Sequence, residues 1–148
     1  MASMTDGFEN VLALLLFNNT GIANIGDATG LPATATAGST QLALATVAYI
    51  DADTVLTADE VAYTGYARPT QPRSGSGWTV ASDTVSNAAL IQFGEMTAGG
   101  PDTVVHVGLG FIATGDVLRL HQDLTADLVV NNGVQPTFQI GALDWVFS

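Results

Sequence analysis

The sequence predicts a mainly β fold: an antiparallel, jelly-roll-like β-sandwich with one N-terminal helix and an extended Gly/Ala/Thr-rich arm. Three observations carry this. Apolar residues recur with a helical period only near the start, and with a period of two from residue 41 onward. The later apolar runs are short and separated by Gly, Pro, Asn and Asp clusters roughly every 8–12 residues, the rhythm of a sandwich or barrel. A composition that is 47% hydrophobic, with mean hydropathy +0.34, gives 148 residues enough apolar mass for a core without cross-links. One domain is expected over residues 1–148, with the helix in 1–20, the arm in 21–40 and strands in 41–148.

The helix is expected over residues 6–18. Thr5 or Asp6 can cap it, and Glu9 sits near its start, where the helix dipole favours negative charge. Phe8, Val11, Leu12, Leu15 and Leu16 form the i, i+3, i+4 stripe, which Leu14 and Phe17 widen beyond one face. Asn18, Asn19, Thr20 and Gly21 stop it. Residues 21–40 read as a loop, or as an arm that orders on a neighbouring molecule.

Strand signals follow. Residues 41–50 alternate through Leu42, Leu44, Thr46 and Ala48, and Asp51 and Asp53 mark a turn. Val61, Tyr63, Gly65 and Ala67 continue an alternating segment that stops at Pro69 and Pro72, which cannot donate to a ladder. Residues 78–80 and 84–86 flank a short hairpin connection at Ala81-Ser82-Asp83. Residues 87–93 give a further strand. The strongest is 103–111, with Val105, Val107, Leu109 and Phe111 on one face and His106, Gly108 and Gly110 on the other. Residues 117–124 and 128–130 follow, then a turn at Asn131-Asn132-Gly133 and a last run over 134–143.

The charge balance restricts partners. Three arginines (Arg68, Arg73, Arg119), no lysine and 14 acidic residues give a formal charge of −11. A nucleic-acid binder needs a basic footprint, and anionic membranes repel this balance, so neither partner is expected. Only 11% of residues are charged, a surface that assembly would readily cover. Residues 11–17 are too short an apolar run to span a bilayer, and Asp6 and Glu9 before them make a poor signal peptide. The expectation is a chain made and kept in the cytosol of the cell that makes it.

A search for chemistry assigns no catalytic, cofactor-binding or metal-binding residue. With no cysteine, disulfides and thiolate sites are out. Asp51-Ala-Asp53 opens like a calcium loop but places Val55 and Leu56 where an oxygen ligand and a glycine belong. Gly108-Leu-Gly110 lies inside a strand, so it reads as close packing against a flat sheet face and not as a dinucleotide fingerprint. His106 and His121 lie on different strands and could meet across a sheet, with Asp123 on the same face as His121. Two imidazoles fall short of the three converging ligands of a metal site, and no strained nucleophile turn accompanies them. They read as polar-face or interface histidines whose titration could make assembly sensitive to pH. Tyr63, Tyr66 and Trp78 flank a proline–glycine stretch and read as interface or core, with a sugar platform below both.

Four stretches carry a family resemblance: ENVLALLLFNNTGIANIGDATGLPA (9–33), AYTGYARPTQPRSGSGWTV (62–80), VSNAALIQFGEMTAGGPDTVVHVGLGF (85–111) and LTADLVVNNGVQPTFQIGALD (124–144). The combination of YTGYAR, SGSGW, VSNAA and FQIGAL resembles small structural proteins of tailed bacteriophages, commonly labelled tail fibre or minor structural protein. Between residues 40 and 62 the chain departs from that pattern: many members carry a strand with a histidine and an acidic loop there, and this chain carries QLALATVAYIDADTVLTADEV. The resemblance implies no catalytic residues. It implies a non-enzymatic virion protein, expected as a capsid-decoration (cement) protein on the outer capsid surface, bound to the major capsid protein. The alternative is a tail fibre or minor tail protein bound to tail proteins, with a carbohydrate-binding host-recognition module as one form of it. A homo-oligomer is expected, a trimer by analogy with decoration proteins at local three-fold positions. Its contacts are expected on the helix, the 21–40 arm and the edge from Tyr63 to Trp78.

Overall fold

A computed structural model describes residues 4–26 and 29–147. Residues 1–3 of the expected helical segment, Asp27 and Ala28 of the expected arm, and Ser148 lie outside the described residues. The elements are α1 (Asp6–Asn18), β1 (Ser39–Ala45), β2 (Thr70–Pro72), β3 (Trp78–Ala81), β4 (Thr84–Asn87), β5 (Ile91–Gln92), β6 (Asp102–Phe111), β7 (Leu120–Val130), β8 (Thr137–Phe138) and β9 (Asp144–Val146). The fold is mainly β, with antiparallel sheets and one helix near the N-terminus, the class read from the sequence. Two compact units are woven from separated stretches. The first takes Met1–Gly38, Gln71–Leu90 and Phe138–Ser148, and the second takes Ser39–Thr70 and Ile91–Thr137. The chain passes between units within β2 and within β8.

In the first unit, α1 packs on β3 and β4 of the sheet β3-β4-β9. Thr5 is the N-cap by its extended backbone, and its carbonyl accepts the N–H groups of Phe8 (2.8 Å) and Glu9 (3.0 Å). Its hydroxyl makes no capping bond. Asn19, left-handed at φ 52°, ends the helix. The buried line of α1 is Glu9, Ala13 and Phe17, and Phe8 is 39% exposed. The expected stripe from Phe8 to Leu16 is therefore rotated. The reason is Phe17, whose ring meets Trp78 edge-on at 5.0 Å and Phe147 at 6.2 Å. One deeply seated aromatic fixes which face turns inward, and the leucines are left half-buried.

The described residues of 21–40 are mostly without regular secondary structure. Ile22 and Leu31 form an antiparallel bridge, with both N–H···O bonds at 2.8 Å. Asn19 grips Thr34 by its side chain, donating from Nδ2 to the Thr34 carbonyl (2.8 Å) and accepting the Thr34 N–H at Oδ1 (3.0 Å). The β3–β4 hairpin turns at Ser82, which has φ 58°.

In the second unit, β1, β6 and β7 form an antiparallel sheet in that order. β6 is the strand expected at 103–111, and as an inner strand it is buried over most of both faces. Several expectations need correction. The strand begun at 41 ends at Ala45 and does not reach residue 50. Residues 61–67 form no strand: Asp59 (φ 55°) and Gly65 (φ 96°) bend the backbone out of extension, and its N–H groups bond to separate places, Val61 to Leu44 and Thr64 to Ala98. The expected strand at 87–93 is divided, β4 ending at Asn87 and β5 covering only Ile91–Gln92. β7 runs through the expected break at 125–127 and absorbs it as a register jump opposite Val104 and His106. The last run, expected over 134–143, is reduced to β8 before the chain turns at Gly141 (φ 71°).

Candidate functional site

The site is built on one face of β1 and β6 where side chains are small or missing. Ala43 lies opposite Gly108, Ala45 opposite His106, and Gly110 opposite Gln41. Tyr49, Leu56 and Leu118 fill the space and form a buried cluster with Ala43 and Ala45. A Cβ on Gly108 would stand 2.8 Å from Tyr49 Cε2, 2.9 Å from Leu118 Cδ1 and 3.1 Å from Leu56 Cδ2. A Cβ on Gly110 would run into the Val117 carbonyl. The close-packing reading of Gly108-Leu-Gly110 holds, with side chains over the first glycine and backbone over the second.

His106 and His121 meet at the end of this face. The register sets His106 opposite Asp123 and Gly108 opposite His121, so the imidazoles are diagonal neighbours. Nε2 of His106 lies 3.1 Å from Nδ1 of His121. Nδ1 of His106 lies 2.8 Å from Oδ1 of Asp123, and Nε2 of His121 lies 3.5 Å from Oδ1 of Asp51. The Asp123 oxygen stands off the ring N–H direction, so this is a charge contact and Nδ1 has no aligned hydrogen bond. Tyr49 covers both rings, edge-on to His106 at 5.7 Å and tilted over His121 at 6.3 Å. Its hydroxyl donates to the Leu56 carbonyl at 2.6 Å. Burial, then the negative charge of Glu60, push the Tyr49 phenol far above its ordinary value, so it is a fixed donor. Burial pulls His106 below the ordinary imidazole range, more than Asp123 raises it. The two histidines do meet across a sheet, His106 buried and His121 partly exposed beside the exposed carboxylates of Asp123 and Asp51.

Next to this cluster, Arg68 is held by two carboxylates. Its Nε and Nη2 donate to Glu60 at 2.7 and 2.6 Å, and Nη2 also donates to Asp116 at 2.7 Å. The Tyr66 hydroxyl donates to Glu60 at 2.7 Å and accepts the Leu44 N–H at 3.0 Å. The Glu60 bonds, partly offset by burial, hold the Arg68 guanidinium above its ordinary value. Arg73, in the first unit, donates to three carbonyls: Leu16 (2.6 Å), Leu15 (2.7 Å) and Ala37 (2.9 Å). Arg119 is exposed.

The aromatic edge expected from Tyr63 to Trp78 is not an edge. Tyr63 is buried in the second unit and Trp78 in the first. The Tyr63 hydroxyl donates to the Gly94 carbonyl at 2.7 Å, and burial, then Asp102, push it up to about 12. Tyr66 stacks on Phe93 at 6.1 Å. Tyr63 and Trp78 are committed to packing, and Tyr66 is half-buried. Asp51-Ala-Asp53 is the expected turn, closed by the Ile50 N–H on Asp53 Oδ2 at 2.8 Å. Among the described residues no group of three His, Cys, Asp or Glu is placed to hold a metal ion. No described helix is long and apolar enough to cross a membrane.

The fold is antiparallel β, with Arg68, Glu60 and Asp116 tied to one another, and the comparison with known families gives its class. The chain belongs to the podophage GP4 fiber I protein gp80 family, whose model matches residues 23–146, leaving α1 outside the matched span. It is a bacteriophage fibre-type structural protein. No curated protein matches the chain.

Proposed function

We propose that the protein is a non-enzymatic component of a virion fibre that works by binding, as a homo-oligomer. The observation that carries this is the family match over residues 23–146, whose name is that of a fibre protein. It supports the tail-fibre alternative better than capsid decoration, which has no specific support. The inward commitment of Arg68, Glu60, Asp116 and His106 agrees with a structural role. Self-association is supported by α1, where Val11, Leu12, Leu14, Leu15 and Leu16 stay half-buried and Phe8 is exposed. Each side chain covered in an assembly would contribute on the order of 1 kcal/mol.

The test is localisation on purified virions with an antibody to the native protein, together with the solution mass of the full chain. Gold label on fibres or tails, absent from isolated capsids, and a mass that is an integer multiple of the chain are expected. Label spread over the capsid shell would restore the decoration reading, and a stable monomer would remove the homo-oligomer.

A further inference from the structure

We propose that His106 and His121 form a proton-sharing pair that clamps the Tyr49–Asp51 turn onto β7 when the pair takes up a proton. Four groups follow one another, Asp123, His106, His121 and Asp51, with successive gaps of 2.8, 3.1 and 3.5 Å. Every gap needs one proton to become attractive, as a hydrogen bond or a charge contact, because carboxylates only accept and a neutral imidazole has one donor and one acceptor. Two neutral imidazoles bring two protons to three gaps, so the neutral chain always has one gap unbridged.

The distances show which gap that is. The ring centroids are 5.3 Å apart for a nitrogen separation of 3.1 Å, so the facing nitrogens point at each other head-on. Facing lone pairs at that distance would repel, and a proton between them removes the repulsion. A metal ion would need the nitrogens to converge on a point beside the pair, which head-on rings do not offer. His106 Nδ1 lies 2.8 Å from the Asp123 carboxylate, off the line of a hydrogen bond but close enough that a bare lone pair would be repelled, so its proton sits there as a charge contact. His106 Nε2 is then an acceptor, and His121 Nδ1 donates to it. That leaves His121 Nε2 bare beside Asp51, at the longest gap, 3.5 Å. The next proton therefore goes to His121 Nε2. The ring becomes an imidazolium donating to His106 on one side and to Asp51 on the other.

The surroundings favour that site over His106. Burial opposes charge on His106, while His121 is more exposed and faces a carboxylate that is itself fully exposed. The groups facing the pair are Asp123 from β7, Asp51 and Tyr49 from the turn after β1, and the uncharged Ala45 from β1. Tyr49 stays protonated and donates to Leu56, so it does not compete for the proton. Protonation then adds one bond, between β7 and residue 51, and lowers the freedom of the turn that also carries exposed Val47 and Ile50. A fall of pH into the range where imidazole charges would tighten this turn.

The experiment is nitrogen NMR of both imidazoles in the full chain between about pH 8 and pH 5, with amide hydrogen exchange over residues 46–54, on wild type and Asp51→Asn. Asp51 is fully exposed, so the variant keeps the fold. Expected at high pH are protonated Nδ1 on both rings. At low pH His121 should become the imidazolium while His106 stays neutral, and exchange at 46–54 should slow several-fold relative to intrinsic rates. Asp51→Asn should abolish the extra protection at low pH. The proposal is overturned if His106 charges first, if the rings titrate independently, or if Asp51→Asn behaves as wild type.

Discussion

Asn87 Oδ1 accepts the backbone N–H of Leu143 at 3.0 Å, across 56 residues of sequence. The same side chain donates from Nδ2 to the carbonyls of Ala89 and Gln139, both at 2.8 Å. Its own backbone completes the seam: the N–H donates to Leu143 O at 3.2 Å and the carbonyl accepts the Gly141 N–H at 2.9 Å. A single buried amide thus ties the end of β4 to the segment that leads into β9. Burial of a polar group is tolerated here because donor and acceptor atoms are both used.

Asn87→Ala should therefore destabilise the protein by about 3 kcal/mol, since the buried Leu143 N–H loses its acceptor and two carbonyls lose a donor. Asn87→Asp should cost at least as much, because a carboxylate cannot donate to Ala89 and Gln139. Urea unfolding of both variants checks this. A loss under about 0.5 kcal/mol for Asn87→Ala would show that the seam is held elsewhere.

Arg73 should matter for α1 although it lies far from it in sequence. The last turn of α1 has no basic residue, and its negative dipole end meets the Arg73 guanidinium at the Leu15 and Leu16 carbonyls. Arg73→Ala should cost about 2 kcal/mol. Arg73→Lys should recover less than half, because one ammonium cannot reach three carbonyls with a planar fork. Thermal unfolding followed by far-UV circular dichroism reads both, and equal stability of Lys and Arg at this position would reduce the effect to charge alone.

How far the sequence anticipates these features depends on whether a residue acts through its neighbours in the chain. β6 was legible because its period of two is strong and its glycines sit on one face. The extent of α1 was legible, but its buried line was not: six other apolar residues larger than alanine outweigh Phe17 in a pattern count, while in three dimensions Phe17 has the aromatic partners. The pairing of His106 with His121 was legible from strand order. Tyr49 and Asp51 were missed as its companions because their place depends on β1 ending at Ala45, which the alternation to residue 50 conceals. The small-residue face of Ala43, Ala45, Gly108 and Gly110 was the one available signal that bulky side chains must fold over it. Asn87 reads as the start of a strand over 87–93 and Arg73 only as one of three arginines, since most of their partners are 36 to 58 positions away.

Gly108→Ala tests that face directly. The new methyl would stand under 3.0 Å from Tyr49 and Leu118, so one of them must shift, and Tyr49 is held by its bond to Leu56. The expected cost is about 2 kcal/mol. Leu118→Ala alone should cost a similar amount or more by leaving a cavity. The double variant should be less destabilised than the sum, because the added methyl enters the space vacated by Leu118. Strict additivity in a double-mutant cycle would mean the two positions do not share that space.

Asp116 should make stability depend on pH at the acid end. Its Oδ2 accepts the Thr57 hydroxyl at 2.5 Å and its Oδ1 accepts Arg68 Nη2 at 2.7 Å. Burial pushes its carboxyl up, but the Thr57 and Arg68 bonds and the Arg68 charge together outweigh this and hold it below the ordinary carboxylate range. A folded-state value below the unfolded one means that the unfolded chain binds the proton first as pH falls. The stabilisation is therefore complete above the unfolded value of about 3.9 and is lost as pH falls through the folded value. The Asp116 side chain is 38% exposed, so solvent screening keeps the contribution to about 1 kcal/mol. Asp116→Asn should accordingly be less stable than wild type by about 1 kcal/mol near pH 6, and the gap should close as pH drops below about 3.9. Arg68→Gln should cost more at neutral pH, because it leaves Glu60 and Asp116 facing each other without the cation. Its penalty should shrink in acid as the carboxylates protonate. Guanidinium unfolding is unsuited to this test because its salt screens the pair, so urea series at fixed low ionic strength are the measurement. A gap between wild type and Asp116→Asn that stays constant from neutral pH into acid would show that the Asp116 charge plays no part and that only the shape of the side chain matters.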